Sequence, residues 1–563
     1  MADGTAAELR GAGGAKGTGG VGSAIDETAA QCLKAVRQFA DMVLRHGRDV
    51  YGSKRTPLLV DGLHVDTLEP ATWRKDGETW VLSNLANQQH FFRTLDGLSA
   101  LTEEPAYRDV AVTATRYGFD HLQDPNGMLY WGGHVAYDLA GERLVMERHN
   151  QELKAHYPYY QLMWQVDPVA TKQMLEASWE GHILDWSNLD MNRHGRYEVA
   201  FERAWQHEYA GGPVFFVGKG LTFCNTGSDL IYAAGLLHHF TGETPPLEWA
   251  KRMAHRYVET RNQKTGLGGY QYSRIENDRA AVQFGPEFGA RALEGTILDK
   301  GHATLRYGVF CTAELLLGEI LGHAAGQPGE DFVRWAADDL AAYARHAYDT
   351  ESNRFRAMFS DGTGLSPGDI KRPGYYKRLA DFSPWAPEPI HLWAYAIAFR
   401  LTRDPIHWQM VVRIARGLGL AELDELGAQN NPGNLDEAAG MSVRASQDTA
   451  HDDPHTLLAL LDLHHATGDS SFLELAARVA GNLLNARFQK GFFLPSADHV
   501  FARVGALEPL ALLRFVAAAR GADGAVPAAW PADPYFQAPH DGLGRSRDTE
   551  IIYGRRRSDR GVT

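Results

Sequence analysis

The chain of 563 residues is 44% apolar and 10% aromatic, enough for a sizeable core and too apolar for general disorder. Its formal charge of −14 excludes partners that depend on a generally basic surface, such as nucleic acid or an anionic membrane, so an anionic substrate would need a local cationic pocket. Cys32, Cys224 and Cys311 lie far apart with no C-x-x-C pair, which argues against a disulfide framework or zinc ribbon, and no run reaches the ~20 apolar residues that span a bilayer.

Residues 1–25 are rich in Gly and Ala and lack an apolar core of the secretory kind, so they read as a disordered tail. A cytoplasmic address follows, with the periplasm as the alternative if the chain is a processed precursor. From Asp26, a capping residue, Ala, Leu, Val and Phe recur at helical spacing as far as His46. The stretch from Tyr51 to Pro70, with its Asp61-Gly62, reads as strand-like or irregular.

From Asn84 one unit recurs: an apolar helix, a short polar turn, a second helix, then a loop with Gly and aromatics. Its turns are 101–107, 240–245, 325–328, 401–405 and 466–470, and each precedes a helix with apolar residues at i, i+3 and i+4. The loops 123–131 and 263–270 echo each other, and 349–355 and 489–493 do so more faintly. The expected fold is all-α, an α/α toroid or incomplete α/α barrel of about six or seven helix pairs with short strand-like loops on one face. Residues 26–521 form this catalytic domain. Residues 522–563, rich in Pro, Gly, Asp and Arg, read as an extended peripheral arm.

Chemistry concentrates between Tyr130 and Tyr197. His134, Glu152 and His194 offer two imidazoles and a carboxylate, which suit Mn, Zn, Ni, Co or Fe better than calcium with its all-oxygen preference. Were the segment helical, His149, Glu152 and His156 would share one face, with Lys154 and Tyr157 nearby. Arg193 could clamp a carboxylate or be an ordinary surface residue, and Asp185 and Asp190 could be an acid–base pair or structural caps. A second cluster runs from Gly268 to Arg291 (Tyr270, Tyr272, Arg274, Glu276, Asn277, Asp278, Glu287) and suits a sugar-carboxylate subsite or a loop-to-helix passage. A third, from Arg372 to His391, holds Tyr375, Tyr376, Lys377, Arg378 and Trp385 and fits a loop over a cleft. No P-loop occurs.

At Trp131-Gly132-Gly133-His134 and Asn192-Arg193-His194-Gly195 the chain resembles the family 2 polysaccharide lyases, the pectate lyases, at motif level over roughly residues 51–291. That resemblance implies a metal-dependent α/α toroid that cleaves an acidic oligo- or polysaccharide by β-elimination, with no nucleic-acid or membrane partner. It places a divalent, Mn-like transition metal on His134, Glu152 and His194 and the base on Arg193. By analogy, a second arginine for the substrate carboxylate would be Arg274 or Arg291, and Trp131, Tyr270 and Lys154 are candidate substrate contacts. Free arginine stays protonated to a pKa above 12, so Arg193 acts as base only where neighbouring cations and desolvation disfavour its charge. Otherwise it is a clamp, and Tyr130 or His156 abstracts the proton. The competing expectation is an α/α-barrel glycoside hydrolase or sugar epimerase using Asp185, Asp190 or Glu287.

Overall fold

A computed structural model describes residues 18–146, 150–200, 203–214, 221–273, 280–372, 382–423, 443–445 and 449–559. Its first helix, α1 (Thr18–His46), starts upstream of Asp26, so ordered helix includes part of the expected tail. Residues 1–17 lie outside the described residues.

The helix pairs form where the turn chemistry places them. α2 (Gln89–Thr102) stops at Glu103, whose φ of 60° breaks the helix, and α3 (Pro105–His121) starts on a proline. α4 (Tyr160–Val166) and α5 (Pro168–His182) share the capping residue Asp167. α6 (Cys224–Thr241) ends at the left-handed Gly242, and α7 (Thr244–Glu259) follows with proline in its first turn. α8 (Cys311–Ile320) precedes α9 (Glu330–Ala347). α10 (Pro389–Thr402) ends at the left-handed Arg403 before α11 (Pro405–Gly417), and α12 (Pro454–Thr467) ends at Gly468 before α13 (Ser470–Arg487), capped by Asp469. α14 (Glu508–Ala519) is the last long helix.

Helices such as α6 and α10 are buried nearly all round, as inner helices must be, whereas α7 and α9 bury one stripe. Inner helices α2, α14, α12, α10, α8 and α6 touch in succession. Arg93 on α2 closes the ring, donating to the carbonyls of Tyr157 (2.8 Å) and Pro158 (3.1 Å) and to the Tyr232 hydroxyl of α6 (3.3 Å). Outside them stand α3, α1, α13, α11, α9 and α7, with α4 and α5 between α3 and α6. The chain is therefore an α/α toroid around one continuous core.

Short strands join the helices. Thr72–Lys75, Glu78–Ser83, Val135–Asp138 and Arg143–Met146 form an antiparallel meander, and Gly62–His64, inside the 51–70 stretch, pairs with Phe501–Arg503. The C-terminal segment corrects the expectation of a peripheral arm. Trp530 and Phe536 are fully buried, and the hairpin Gln537–His540/Gly544–Arg547 packs on the meander, where Trp73 Nε1 donates to the Pro539 carbonyl (2.9 Å). Extended backbone there reflects its Pro and Gly content; burial follows from its aromatics, of which Phe536 and Tyr553 form a second small core with Trp73 and Trp80 while Trp530 joins the main core.

Candidate metal and catalytic site

Backbone pairing brings the three candidate ligands together. Asn150 and Gln151 pair antiparallel with Arg196 and Gly195, and one further step of that register sets Glu152 opposite His194. On its other side Glu152 bridges Gly132 in parallel, and its carbonyl accepts the Gly133 N–H (2.7 Å), with His134 next in the chain. The segment is thus extended and not helical, so no shared helical face carries Glu152 and His156. His149 lies outside the described residues. Gly132 is required, since a Cβ there (φ 108°) would meet the Glu152 carbonyl oxygen at 2.6 Å, and a Cβ on Gly133 would sit tightly, 3.2 Å from the Glu152 carboxylate.

One ligand atom from each of His134, Glu152 and His194 falls within a 4.8 Å set. His134 Nε2 stands 2.8 Å from Glu152 Oε2, and His194 Nε2 stands 3.3 Å from Glu152 Oε1. Nδ1 of His134 donates to the Gln537 carbonyl (2.8 Å), which leaves the Nε2 lone pair for the carboxylate side. Arg545 Nη2 lies 2.8 and 3.1 Å from the two ring nitrogens of His134. An atom that near to both sits over the ring face, clear of the in-plane lone pair. Glu152 Oε1 and His194 Nε2 are shut off from solvent, and neither makes a well-formed hydrogen bond among the described residues. Two such buried atoms beside Nε2 of His134 make a donor set that fits a divalent cation.

Cations surround this carboxylate in a chain of net negative charge. Lys154 Nζ is 3.1 Å and Arg193 Nε 3.5 Å from Glu152 Oε1. Burial opposes ionisation of Glu152, but Lys154, His134, His194 and Arg193 together hold its carboxyl well below the usual range. Burial pushes Lys154 down to about 8 against the pull of Glu152, with Arg193 and Arg547 adding to the fall. The Arg193 guanidinium lies 4.8 Å from the Phe223 ring centre, and its side chain is 23% exposed, more than any other group touching Glu152.

Of the remaining candidates, Tyr270 is buried, stacked on His302 (5.0 Å) and against Phe223 (5.8 Å), so it supports the ring beneath Arg193. Trp131, expected as a substrate contact, is instead 1% exposed inside the main core, and its neighbour Gly132 is held by both amide atoms of Asn84. Arg291 is exposed and pairs with Asp361 (3.8 Å) and Thr363 (3.5 Å), not with the cluster. Arg274, Glu276, Asn277 and Asp278 lie outside the described residues, as do Tyr375, Tyr376, Lys377 and Arg378. The Tyr130 hydroxyl is committed to Asp124 (2.7 Å), and His156 Nδ1 accepts the Lys154 N–H (2.8 Å) with its ring fully buried, so neither presents a base. Asp185 holds a turn through Ser187 and Asn188, Asp190 is buried, and Glu287 faces Lys371 at 4.0 Å on the surface.

Sequence reading missed three residues of the C-terminal segment. The Tyr535 hydroxyl donates to Glu152 Oε2 (2.9 Å), the Arg547 guanidinium covers the Tyr535 ring (4.6 Å), and Arg545 covers His134. Their only signal was a run of Arg and aromatics in a stretch without helical period.

The sequence model of a family described as periplasmic pectate lyase matches residues 56–539. A pectate disaccharide-lyase of Dickeya dadantii (strain 3937) is 32% identical over 558 residues, covering 93% of this chain and 96% of that protein. Among solved structures, an alpha-1,2-mannosidase from Trichoderma reesei aligns over 92% of this chain and 98% of its own at 9% identity and a TM-score of 0.47. A cellobiose 2-epimerase from Bacillus thermoamylovorans B4167 covers 86% and 99% at 11% identity and a TM-score of 0.41. The word periplasmic agrees with the processed-precursor alternative and not with the cytoplasmic expectation, and no described helix is long and apolar enough to cross a membrane.

Proposed function

The chain belongs to the family described as periplasmic pectate lyase, and from that membership we propose that this polysaccharide lyase cleaves a polyuronate by metal-assisted β-elimination at the Glu152 centre. The observation that carries the reading is the convergence of His134, Glu152 and His194 on one small volume ringed by cations. His134 and His194 through Nε2 and Glu152 through its carboxylate would hold a divalent ion, and this nitrogen-rich set suits a Mn-like transition metal above calcium. When bound, such an ion supplies Lewis-acid neutralisation of the substrate carboxylate, which acidifies the adjacent C–H.

The chain's own residues do the rest. Lys154 and Arg547 bring positive charge to the side where a uronate carboxylate would dock, and that charge stabilises the enolate-like state as it develops. Arg193 takes the proton from carbon 5. The C–H electron pair forms the carbon 4–carbon 5 double bond, and the glycosidic oxygen leaves carbon 4 with the C–O pair and takes up one proton, balancing the one removed, so no water is consumed. Arg193 and Lys154 share the Glu152 Oε1 side of the site, at 3.5 and 3.1 Å. A second arginine for the carboxylate of a neighbouring sugar would be Arg274 or Arg291, the latter exposed beside Asp361. The disaccharide named for the Dickeya relative suggests exo action on short oligouronates here.

Polygalacturonate is the test substrate. The expected result is rising ultraviolet absorbance from a 4,5-unsaturated end, with unsaturated disaccharide as main product. New reducing ends without that absorbance would mark a hydrolase and overturn the reading.

A further inference from the structure

We propose that Tyr535, carried in by the C-terminal segment, is a positioning residue that fixes the Glu152 carboxylate and sets the affinity of the site for its cation. The inference rests on the metal reading above. Tyr535 is 6% exposed, and its hydroxyl donates to Glu152 Oε2, the oxygen that also faces His134. With Oε2 held by the Tyr535 hydroxyl, the carboxylate is oriented so that Oε1 is aimed at His194, Lys154 and Arg193.

The tyrosine is itself held on every side. Gln537 N–H donates to the Gly133 carbonyl (2.7 Å), and the Gln537 carbonyl accepts from His134 Nδ1 (2.8 Å). On the other flank Asp533 N–H donates to the Ala155 carbonyl (3.1 Å). Residues 533–537 therefore clamp the segments that carry two of the three ligands, and Tyr535 lies between the two anchor points. Lys154 Nζ lies 5.1 Å from its ring centre and the Arg547 guanidinium 4.6 Å. The ring also fills the space over Gly133, where a Cβ would stand 3.3 Å from Tyr535 Cε2. Partners of this kind orient ligands and tune a metal without touching it.

Tyr535→Phe keeps the ring and removes the hydroxyl. Calorimetric titration of the metal-stripped protein with Mn2+ should show affinity about 10–100-fold below wild type, with an unchanged circular-dichroism spectrum. At saturating Mn2+ the KM for polygalacturonate should hold while kcat recovers toward wild type, a pattern that simple loss of folded protein does not give. Wild-type binding with equal affinity in Tyr535→Phe overturns this inference alone. Absence of Mn2+ binding by both wild type and His134→Ala overturns the metal reading and this inference with it.

Discussion

Gly195 lies so close to the buried imidazole of His182 that a Cβ on it would stand 2.4 Å from His182 Cε1. The ring cannot retreat freely: its Nδ1 donates to the Ser178 carbonyl (2.7 Å), and the His182 carbonyl accepts the Asn192 N–H (2.9 Å). The Arg193-His194 turn is therefore set by contact between its glycine and α5. Gly195→Ala should cost about 1–3 kcal/mol of stability through overpacking and displace His194 from Glu152. A lower denaturation midpoint together with weakened Mn2+ binding would show both effects. Wild-type values for both would show that the ring yields.

Arg193→Lys keeps the charge but loses the guanidinium plane over Phe223. If Arg193 removes the proton, kcat should fall about 10²–10⁴-fold, the usual contribution of a positioned base, with Mn2+ affinity close to wild type. Steady-state kinetics on polygalacturonate decide it. Substantial turnover in the variant would assign proton abstraction elsewhere.

The helix pairs were legible because their signals are local. Glu103, Gly242, Arg403 and Gly468 end inner helices at left-handed φ, and a proline or a capping Asp starts the next helix two residues or so later. The convergence of His134, Glu152 and His194 was suggested only through motifs, since nothing local shows that Gln151 pairs with Gly195. Tyr535 was out of reach: its partner Glu152 is 383 residues away, and a tyrosine between prolines carries no period. Trp131 was misread for a related reason, because an aromatic in a Gly-rich loop looks alike whether it lines a cleft or fills a core.

Removal of the metal should abolish turnover and lower stability together. Any ion that binds only the folded chain stabilises it by RT ln(1 + [L]/Kd), about 2.7 kcal/mol at a hundredfold excess over Kd. Chelator-treated protein should therefore melt lower and regain both activity and melting temperature on adding Mn2+. His134→Ala should melt at one temperature with or without the ion. Full activity in excess chelator would sink the metal assignment.

Glu314 on α8 gives a pH dependence independent of the site. It is buried, and burial pushes its carboxyl up to about 8; Asp339 adds to the rise, while Arg306 and Arg261 oppose it. A raised folded-state value means that the native protein holds a proton the unfolded chain has released. The associated stability is complete below the ordinary Glu range near 4.5 and is lost as pH climbs to about 8. Each pH unit in that window costs at most about 1.4 kcal/mol from this group. Glu314→Gln mimics the protonated form, so its stability should match wild type near the acid end of the window and exceed it at the alkaline end. Urea midpoints measured across the window test this, and parallel curves for the two proteins would show that Glu314 is ionised in the native state.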